Sequence, residues 1–438
     1  MAAIPDARSP LEHWLDYIDR VHPKTIELGL ARLRRVAARL PAWPAQWHII
    51  TVAGTNGKGS TVIAMEQLLL AAGYRVGGTL SPHLEYFEER IRIQGEPAPA
   101  ESIVAAFAEV EAARDDEPLT YFEYAALAAL RCFAATRREV VLLEIGLGGR
   151  LDAFNLLDAH TAVITSIGLD HQAWLGETRS AIGREKAGIL RPRQRLCLGP
   201  DLPASVHERA RELALTPLTV DDNLRLERLG QRWQVRASGE GWSSPEFSAG
   251  GFVPANCALA IAAVWPLLRE RGEAPADLGA WSRALQLAGR RETLSLDGQE
   301  WVLDVSHNPH AAAALAAWLA ERDEPAPRVA VFGSLEDKDS AGVAAALAPG
   351  IDHWVLVPTA GPRGLAAQAL AQRVPFTAPV SRATSVAQGL RIARALAGQH
   401  TPVLVFGAFA VVSSARQALG LGGARAAGEG ASGAARDP

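Results

Sequence analysis

Apolar positions along the chain fall into two alternating rhythms. Short, continuous, β-branched runs have the length of buried strands: His48–Ala53, Arg75–Leu80, Val140–Ile145 and Thr161–Ile167. Between and after them lie longer stretches with helical spacing. These predict helices over Ser60–Ala72, stopped by Gly73, and over Ala100–Arg114, Tyr121–Thr136, Arg179–Leu190, Pro254–Arg271 and Ala276–Leu287. Residues 217–250 differ: Leu224–Leu229 and Gln231–Ala237 alternate with period two, which predicts a small antiparallel sheet. A polar stretch begins at Gly289-Arg290-Arg291. The strand–helix rhythm then restarts, with strands expected at Trp301–Val305, Val329–Phe332, Ile351–Val357 and Val403–Phe406. Strands alternating with helices give an α/β fold with a mainly parallel sheet. The pattern divides into a large domain over 1–290, a hinge at 291–297, a smaller α/β domain over 298–420 and a Gly/Ala-rich tail over 421–438 expected to be disordered.

Composition narrows the function. The 438 residues carry a net charge of −4, so no basic excess points to nucleic acid. The apolar runs Ala258–Leu268 and Val403–Val412 fall short of the roughly 18 residues that a membrane span needs. Asp6, Arg8 and Glu12 stand where a signal peptide needs an apolar core. The three cysteines, Cys132, Cys197 and Cys257, are scattered without CxxC spacing, which argues against a disulfide framework or a zinc ribbon. A reducing cytoplasm is the expected setting. The basic residues are arginine almost throughout, and only Lys24, Lys58, Lys186 and Lys338 are lysines. A lysine kept against that bias is a candidate for work a guanidinium does poorly, as a compact charge or a reactive amine; for any single lysine, chance survival remains the alternative.

One lysine lies in a loop with its own chemistry. Gly54-Thr55-Asn56-Gly57-Lys58-Gly59-Ser60 follows a predicted strand and opens a predicted helix. Glycines let backbone N–H groups close around phosphate oxygens, and the helix N-terminus adds positive potential. Lys58 is placed to reach terminal phosphates, and Ser60 or Thr61 to ligate magnesium. The loop departs from the strict phosphate-loop spacing, because Gly59 separates Lys58 from Ser60. On the residues alone an ordinary strand–helix turn stays open. Other residues fall at expected strand ends, where open parallel sheets bind ligands: Glu144, and Asp170-His171. Magnesium prefers oxygen donors, so Ser81 and Glu144 suit it and His171 is an unusual ligand, with plain hydrogen bonding as its alternative. Tyr121 and Phe122 have faces that could stack on a flat heterocycle, or they are core aromatics opening a helix. Lys186, beside Glu185, reads equally as a solvated helical ion-pair partner.

The set of motifs carries a resemblance. Gly54–Ser60 resembles the nucleotide loop of the Mur ligase superfamily. Further motifs follow in order: Ser81-Pro82-His83-Leu84, Leu143–Asp152 (LEIGLGGRLD), Thr165–His171 (TSIGLDH), Ile182–Ile189 (IGREKAGI), Leu303–His310 (LDVSHNPH) and Gly333–Asp339 (GSLEDKD). Together they resemble folylpolyglutamate synthases, and within them the bacterial bifunctional dihydrofolate synthase/folylpolyglutamate synthase family, from about Leu11 to Leu419. Lys24–Leu30 (KTIELGL) resembles the segment that contacts the pteroate in this family, so each of the four lysines falls inside a motif. The resemblance implies a P-loop-type ATPase domain followed by a Rossmann-like α/β domain, and an ATP-dependent ligase that joins L-glutamate to dihydropteroate and to tetrahydrofolate and its polyglutamates. It implies ATP contacts at Thr55, Asn56, Gly57, Lys58, Gly59, Ser60, Asn256, Arg290 and Asp304. It assigns one or two Mg2+ to Ser81, Glu144, His171 and a carbamylated Lys186, with Lys58, Lys186, His171 and Glu144 as the catalytic set. Substrate contacts carry over to Ile26, Glu27, Leu28, Gly29, Thr120, Tyr121, Phe122, Glu123 and Leu151, and His307 to the glutamate side. The nucleotide would lie between the domains, the protein would act as a monomer, and neither membrane nor nucleic acid would be a partner.

The chain departs from the family pattern at Ala288, where proline is common, at Ser306, where alanine is common, and at Gly407-Ala408-Phe409-Ala410, which lacks the usual histidine at its end. A monofunctional folylpolyglutamate synthase is the nearest alternative. A P-loop kinase or NTPase without ligation is a more distant one. A catalytically dead relative is opposed by the intact Lys58, Glu144, His171 and Lys186.

Overall fold

The protein is described as a computed structural model over residues 4–22, 24, 26–41, 46–272, 277–322, 328–398 and 401–422. The expected helix start at Ala276 and nearly all of the expected disordered tail, from 423 on, lie outside the described residues. The chain forms two compact units. Among the described residues, Leu84–Tyr86 and those from Gln286 on belong to the second, and the rest belong to the first.

In the first unit, helices α1 (Leu11–Val21) and α2 (Ala31–Ala37) come before strand β1 (His48–Ala53). Neither helix was predicted from the sequence, although Leu11, Trp14 and Ile18 recur at helical spacing and are buried. Helix α3 (Lys58–Ala71) follows β1, then β2 (Val76–Thr79), β3 (Ile91–Ile93), β4 (Glu96–Pro97), α4 (Ala100–Arg114), α5 (Tyr121–Ala135), β5 (Val140–Glu144) and β6 (Thr161–Ile164). Helices α6 (Gln172–Leu175) and α7 (Arg179–Lys186) lead to β7 (Arg195–Leu198), α8 (Ala204–Glu212) and β8 (Leu218–Thr219). These strands form one sheet in the order β4-β3-β2-β5-β1-β6-β7-β8. It is parallel from β2 to β8, and the β3–β4 hairpin adds an antiparallel edge.

The register sets the site. Val52 of β1 pairs with Glu144 of β5, and Ala53 with Ile164 of β6, so these strands end on one edge and their loops emerge together. Helix α3 has buried residues on every side, the mark of a helix enclosed by its neighbours. One neighbour is the apolar α9 (Pro254–Glu270). The predicted small antiparallel sheet is present as β9 (Leu224–Leu229), β10 (Arg232–Ala237) and β11 (Trp242–Ser243). Helix α10 (Gly279–Ala284) closes the unit and is shorter than the expected 276–287.

The second unit is a six-stranded sheet in the order β12-β13-β17-β14-β15-β16. Its strands are β12 (Glu292–Leu296), β13 (Gln299–Asp304), β14 (Val329–Phe332), β15 (His353–Leu356), β16 (Val380–Arg382) and β17 (Val403–Phe406). The stretch read from sequence as a hinge at 291–297 carries β12, which pairs antiparallel with β13 across a turn at Asp297-Gly298. Every other pairing is parallel. Helices α11 (Pro309–Ala320), α12 (Ser340–Leu347), α13 (Ala367–Arg373), α14 (Val386–Ala397) and α15 (Phe409–Ala418) cover it. Alternate residues of the central strands feed opposite faces: Leu303, Val331 and Val405 one core, Val302, Ala330, Phe332 and Leu404 the other. Among the described residues no helix is long and apolar enough to cross a membrane.

Candidate active site

The loop after β1 turns into α3 at Gly57, which has φ +86° as the helix N-cap. A Cβ there would lie 2.5 Å from the Asn256 amide in the first turn of α9, so both the backbone conformation and the close approach require glycine. Thr55 and Asn56 are held by the loop after β6. Thr55 N–H donates to Ser166 O at 2.8 Å, Thr165 Oγ1 donates to Asn56 O at 2.7 Å, and Gly168 N–H donates to Thr55 Oγ1 at 3.0 Å. Gly59 and the buried Ser60 lie in the first turn of α3. The loop thus presents helix-terminal amides at a strand end, the geometry that receives an anion.

Two of the four lysines meet at this loop. Lys58 Nζ donates to Gly54 O at 3.2 Å and to Thr55 O at 3.4 Å, and Lys186 Nζ donates to the same Gly54 O at 2.8 Å. Lys186 ends α7 and is buried. Burial chiefly, and the Lys58 charge next, lower its pKa to about 7, against the pull of Asp170 and Asp152. A substantial fraction of this amine is therefore neutral at physiological pH, and a neutral amine is a nucleophile where an ammonium is not. Lys186 is held in place by the glycine-rich loop after β5. A Cβ on Gly149 would lie 2.9 Å from the carbonyl oxygens of Glu185 and Lys186, and Arg150 N–H donates to Glu185 O at 2.9 Å.

That loop is organised by Asp152, which the sequence reading placed in a motif without giving it a role. Its carboxylate accepts from the N–H groups of Gly146 at 2.9 Å, Leu147 at 3.0 Å and Phe154 at 3.0 Å. Burial raises its pKa to about 6, while those three amides and Lys58 pull it down. At neutral pH it is mostly a carboxylate, whose charge reaches both amines.

Ser81 and Glu144 are adjacent: Ser81 N–H donates to Glu144 Oε2 at 2.9 Å. The Ser81 hydroxyl is buried with no hydrogen-bond partner. An orphaned hydroxyl beside a buried carboxylate fits a hard cation such as magnesium, which prefers oxygen ligands. Among the described residues no three histidine, cysteine, aspartate or glutamate side chains are grouped to hold an ion, so other oxygens must complete any such site. His171 caps α6 in a left-handed conformation, φ +50°, with its own N–H on Asp170 Oδ1 at 2.9 Å.

The segments expected to hold substrate also meet. Thr120 and Glu123 form a capping box at the start of α5. Tyr121 stands edge-on to Phe87 at 6.0 Å, and Phe122 edge-on to Phe154 at 5.7 Å, with its ring against Gly146. Ile26 and Leu28 pack on the core that includes α5, and Gly29 has open space at its Cβ position. Leu151 is half-buried, next to Asp152. Arg32, which the sequence reading missed, links Glu27 to Glu123. Nothing in the local sequence marks it, because its partners are brought in by tertiary structure.

Arg290, Asp304 and His307 lie in the second unit. Asp304 ends β13 and accepts from the N–H groups of Arg291 and Ser306, each at 2.8 Å. The Arg290 guanidinium lies 4.8 Å from the centre of the Phe409 ring, and His307 Nδ1 lies 2.9 Å from Val305 O.

Comparison with known proteins places this arrangement. Residues 289–409 match the family model of the Mur ligase glutamate ligase domain. The dihydrofolate synthase/folylpolyglutamate synthase of Escherichia coli K12 is 40% identical over 425 residues, 95% of this chain and 97% of the relative. The structure of E. coli FolC in complex with DHPP and ADP superposes with a TM-score of 0.87 at 39% identity, covering 94% of this chain and 98% of that one. A bifunctional folylpolyglutamate synthase/dihydrofolate synthase with Mn, AMPPNP and L-glutamate bound gives a TM-score of 0.85 at 39% identity, covering 96% of this chain and 100% of the other.

Proposed function

The chain belongs to the dihydrofolate synthase/folylpolyglutamate synthase family of Mur-type ligases, and from that premise we propose how its own residues carry out ATP-dependent ligation of L-glutamate. The acceptors are dihydropteroate, giving dihydrofolate, and tetrahydrofolate with its polyglutamates. The observation that carries the residue assignment is the convergence of Lys58 and Lys186 on the carbonyl of Gly54, in a glycine loop that opens a helix.

The acceptor carboxylate attacks the γ-phosphorus of ATP; the bond to the β,γ-bridging oxygen breaks and ADP leaves. The acyl phosphate so formed is attacked at its carbonyl carbon by the neutral amine of glutamate. The tetrahedral intermediate expels phosphate, the nitrogen gives up its proton to solvent, and an amide remains. Lys58 and the first-turn amides of α3 hold the phosphate chain and offset the charge that builds on the transferring group. Asn256, against Gly57, lines the loop where nucleotide would lie. Lys186 would be carbamylated, its neutral amine adding carbon dioxide and giving a proton to solvent, which leaves a carboxylate-like oxygen donor where an amine stood. With Ser81, Glu144 and His171 it would hold magnesium, which supplies charge neutralisation at the phosphoryl oxygens when bound. Tyr121, Phe122, Glu123 and the 26–29 segment would hold the pteroate. Nucleotide and pteroate binding are assigned to residues 1–290 and glutamate ligation to 298–420, with Arg290 and Asp304 assigned to the nucleotide and His307 to glutamate.

Purified protein given ATP, magnesium, L-glutamate and either acceptor should yield a product heavier by one glutamyl residue, with glutamate-dependent ADP release. Turnover of tetrahydrofolate but not dihydropteroate would reduce the enzyme to a monofunctional synthase. ADP release indifferent to glutamate would remove the ligase assignment.

A further inference from the structure

We propose that Arg32 is a positioning residue for the pteroate acceptor: it clamps the 26–29 segment to the start of α5 and decides which oxygen of Glu123 is left for a ligand. This rests on the reading of those segments as the acceptor site. The guanidinium is mostly buried, its side chain 11% exposed, between two carboxylates. Its Nε–H donates to Glu123 Oε2 at 2.9 Å and an Nη1–H to Glu27 Oε1 at 2.8 Å, and the other terminal nitrogen donates to Glu27 O. One planar fork therefore binds a side chain from α5 and both the side chain and backbone of the N-terminal segment. A lysine ammonium has no fixed fork with which to do this.

The bonds on Glu123 are unevenly shared. Oε2 accepts from Arg32 Nε, from Thr120 N–H at 2.9 Å and from Thr120 Oγ1 at 2.9 Å. With Oε2 saturated, Oε1 is the oxygen free to accept from the N–H edge of a heterocycle lying against the neighbouring aromatic rings. Glu27 is balanced by Arg32 and by Lys24, whose Nζ lies 3.1 Å from Oε2, and those cations keep its carboxyl below the usual range. A neutral residue at 32 would leave Glu123, 6% exposed, without its counter-charge and free to turn. The consequence is a lost acceptor geometry, not a lost phosphoryl-transfer step.

Steady-state kinetics of Arg32→Ala and Arg32→Lys with dihydropteroate, ATP and glutamate varied in turn test this, alongside thermal melts. The alanine variant should raise the KM for dihydropteroate by about ten- to a hundredfold, the range expected for a buried charged hydrogen bond. Its kcat and its KM values for ATP and glutamate should stay within a few-fold of wild type. The lysine variant should fall between, since it can hold one carboxylate but not both. A dihydropteroate KM unchanged in the alanine variant would overturn the proposal. So would a parallel loss across all three substrates with a lowered melting temperature, because that is a merely structural role. If wild-type protein fails to use dihydropteroate at all, the acceptor assignment itself fails, an outcome visible before any variant is made.

Discussion

At the scale of single residues, the decisive contacts are two amines on one carbonyl. Lys58 and Lys186 both donate to Gly54 O, yet they are expected to fail differently. Lys58→Ala should lower kcat by about 10²–10³-fold, the usual cost of losing one group aimed at developing charge, while thermal melts stay near wild type. Turnover close to normal would remove Lys58 from the phosphate site. Lys186→Arg should be almost as inactive as Lys186→Ala, because a guanidinium cannot be carbamylated and would bring a fixed charge beside Lys58. Short-chain carboxylic acids should partly restore Lys186→Ala by supplying the missing oxygen donor. An active Lys186→Arg enzyme would show that the side chain works as a cation, and the carbamate would be discarded. Both lysines were legible from sequence because arginine had replaced lysine almost everywhere else. The roles of Asp152 and Arg32 were not legible, since each depends on partners that only the folded chain brings near.

At the scale of elements, β1 has chemistry at both ends. Its C-terminal end turns into α3 through Gly57, where φ is +86° and a side chain would meet Asn256. Gly57→Ala should cost on the order of 1–3 kcal/mol in stability and should also abolish the rise in melting temperature produced by ADP. An ADP-induced shift as large as wild type would show that Asn256 and the loop do not need this approach. At the other end of β1, His48 stacks on His160 at 4.8 Å, and burial with the second imidazole lowers its pKa from 6.5 to about 4. Between those values the unfolded chain binds a proton that the folded chain refuses. Stability from His48 is therefore complete above about pH 6.5 and is lost as pH falls toward about 4. Denaturant midpoints measured across that window should fall less steeply for His48→Asn than for wild type, and parallel curves would exclude this linkage. Strands β1, β5, β14 and β17 were read from sequence to within one residue because they are buried on both faces and so continuously apolar, whereas β6 was drawn three residues too long and the short β3, β7 and β16 were not read at all. Helices α1 and α2 were missed because their apolar stripes are short and rich in charge, and only packing on the core settles them.

At the scale of the whole molecule, the chain enters its second unit twice, first at Leu84–Tyr86 and again from Gln286. Arg416 fixes the first visit within that unit, bonding Glu85 at 2.8 Å and also Glu292, with all three side chains largely buried. Arg416→Met strands two buried carboxylates and should destabilise the protein by about 3–5 kcal/mol in denaturant unfolding; a change below about 1 kcal/mol would mean that water replaces the arginine without loss. No local pattern foretold this excursion, because three residues are too few to carry a period. The polar composition around 291–297 suggested a hinge, but Thr293 and Leu294 with their neighbours alternate as an edge strand, and an edge tolerates that polarity. The scarcity of amines has a practical corollary. Lys24 keeps 67% of its side chain exposed, Lys186 and Lys338 are buried, and Lys58 is half-buried with its nitrogen on loop carbonyls. Among the four lysines, an acylating reagent used at alkaline pH, where an exposed amine is deprotonated, meets one open side chain. Lysine acylation should therefore concentrate at Lys24, where it would remove the ammonium that pairs with Glu27 while leaving the two amines on Gly54 O shielded.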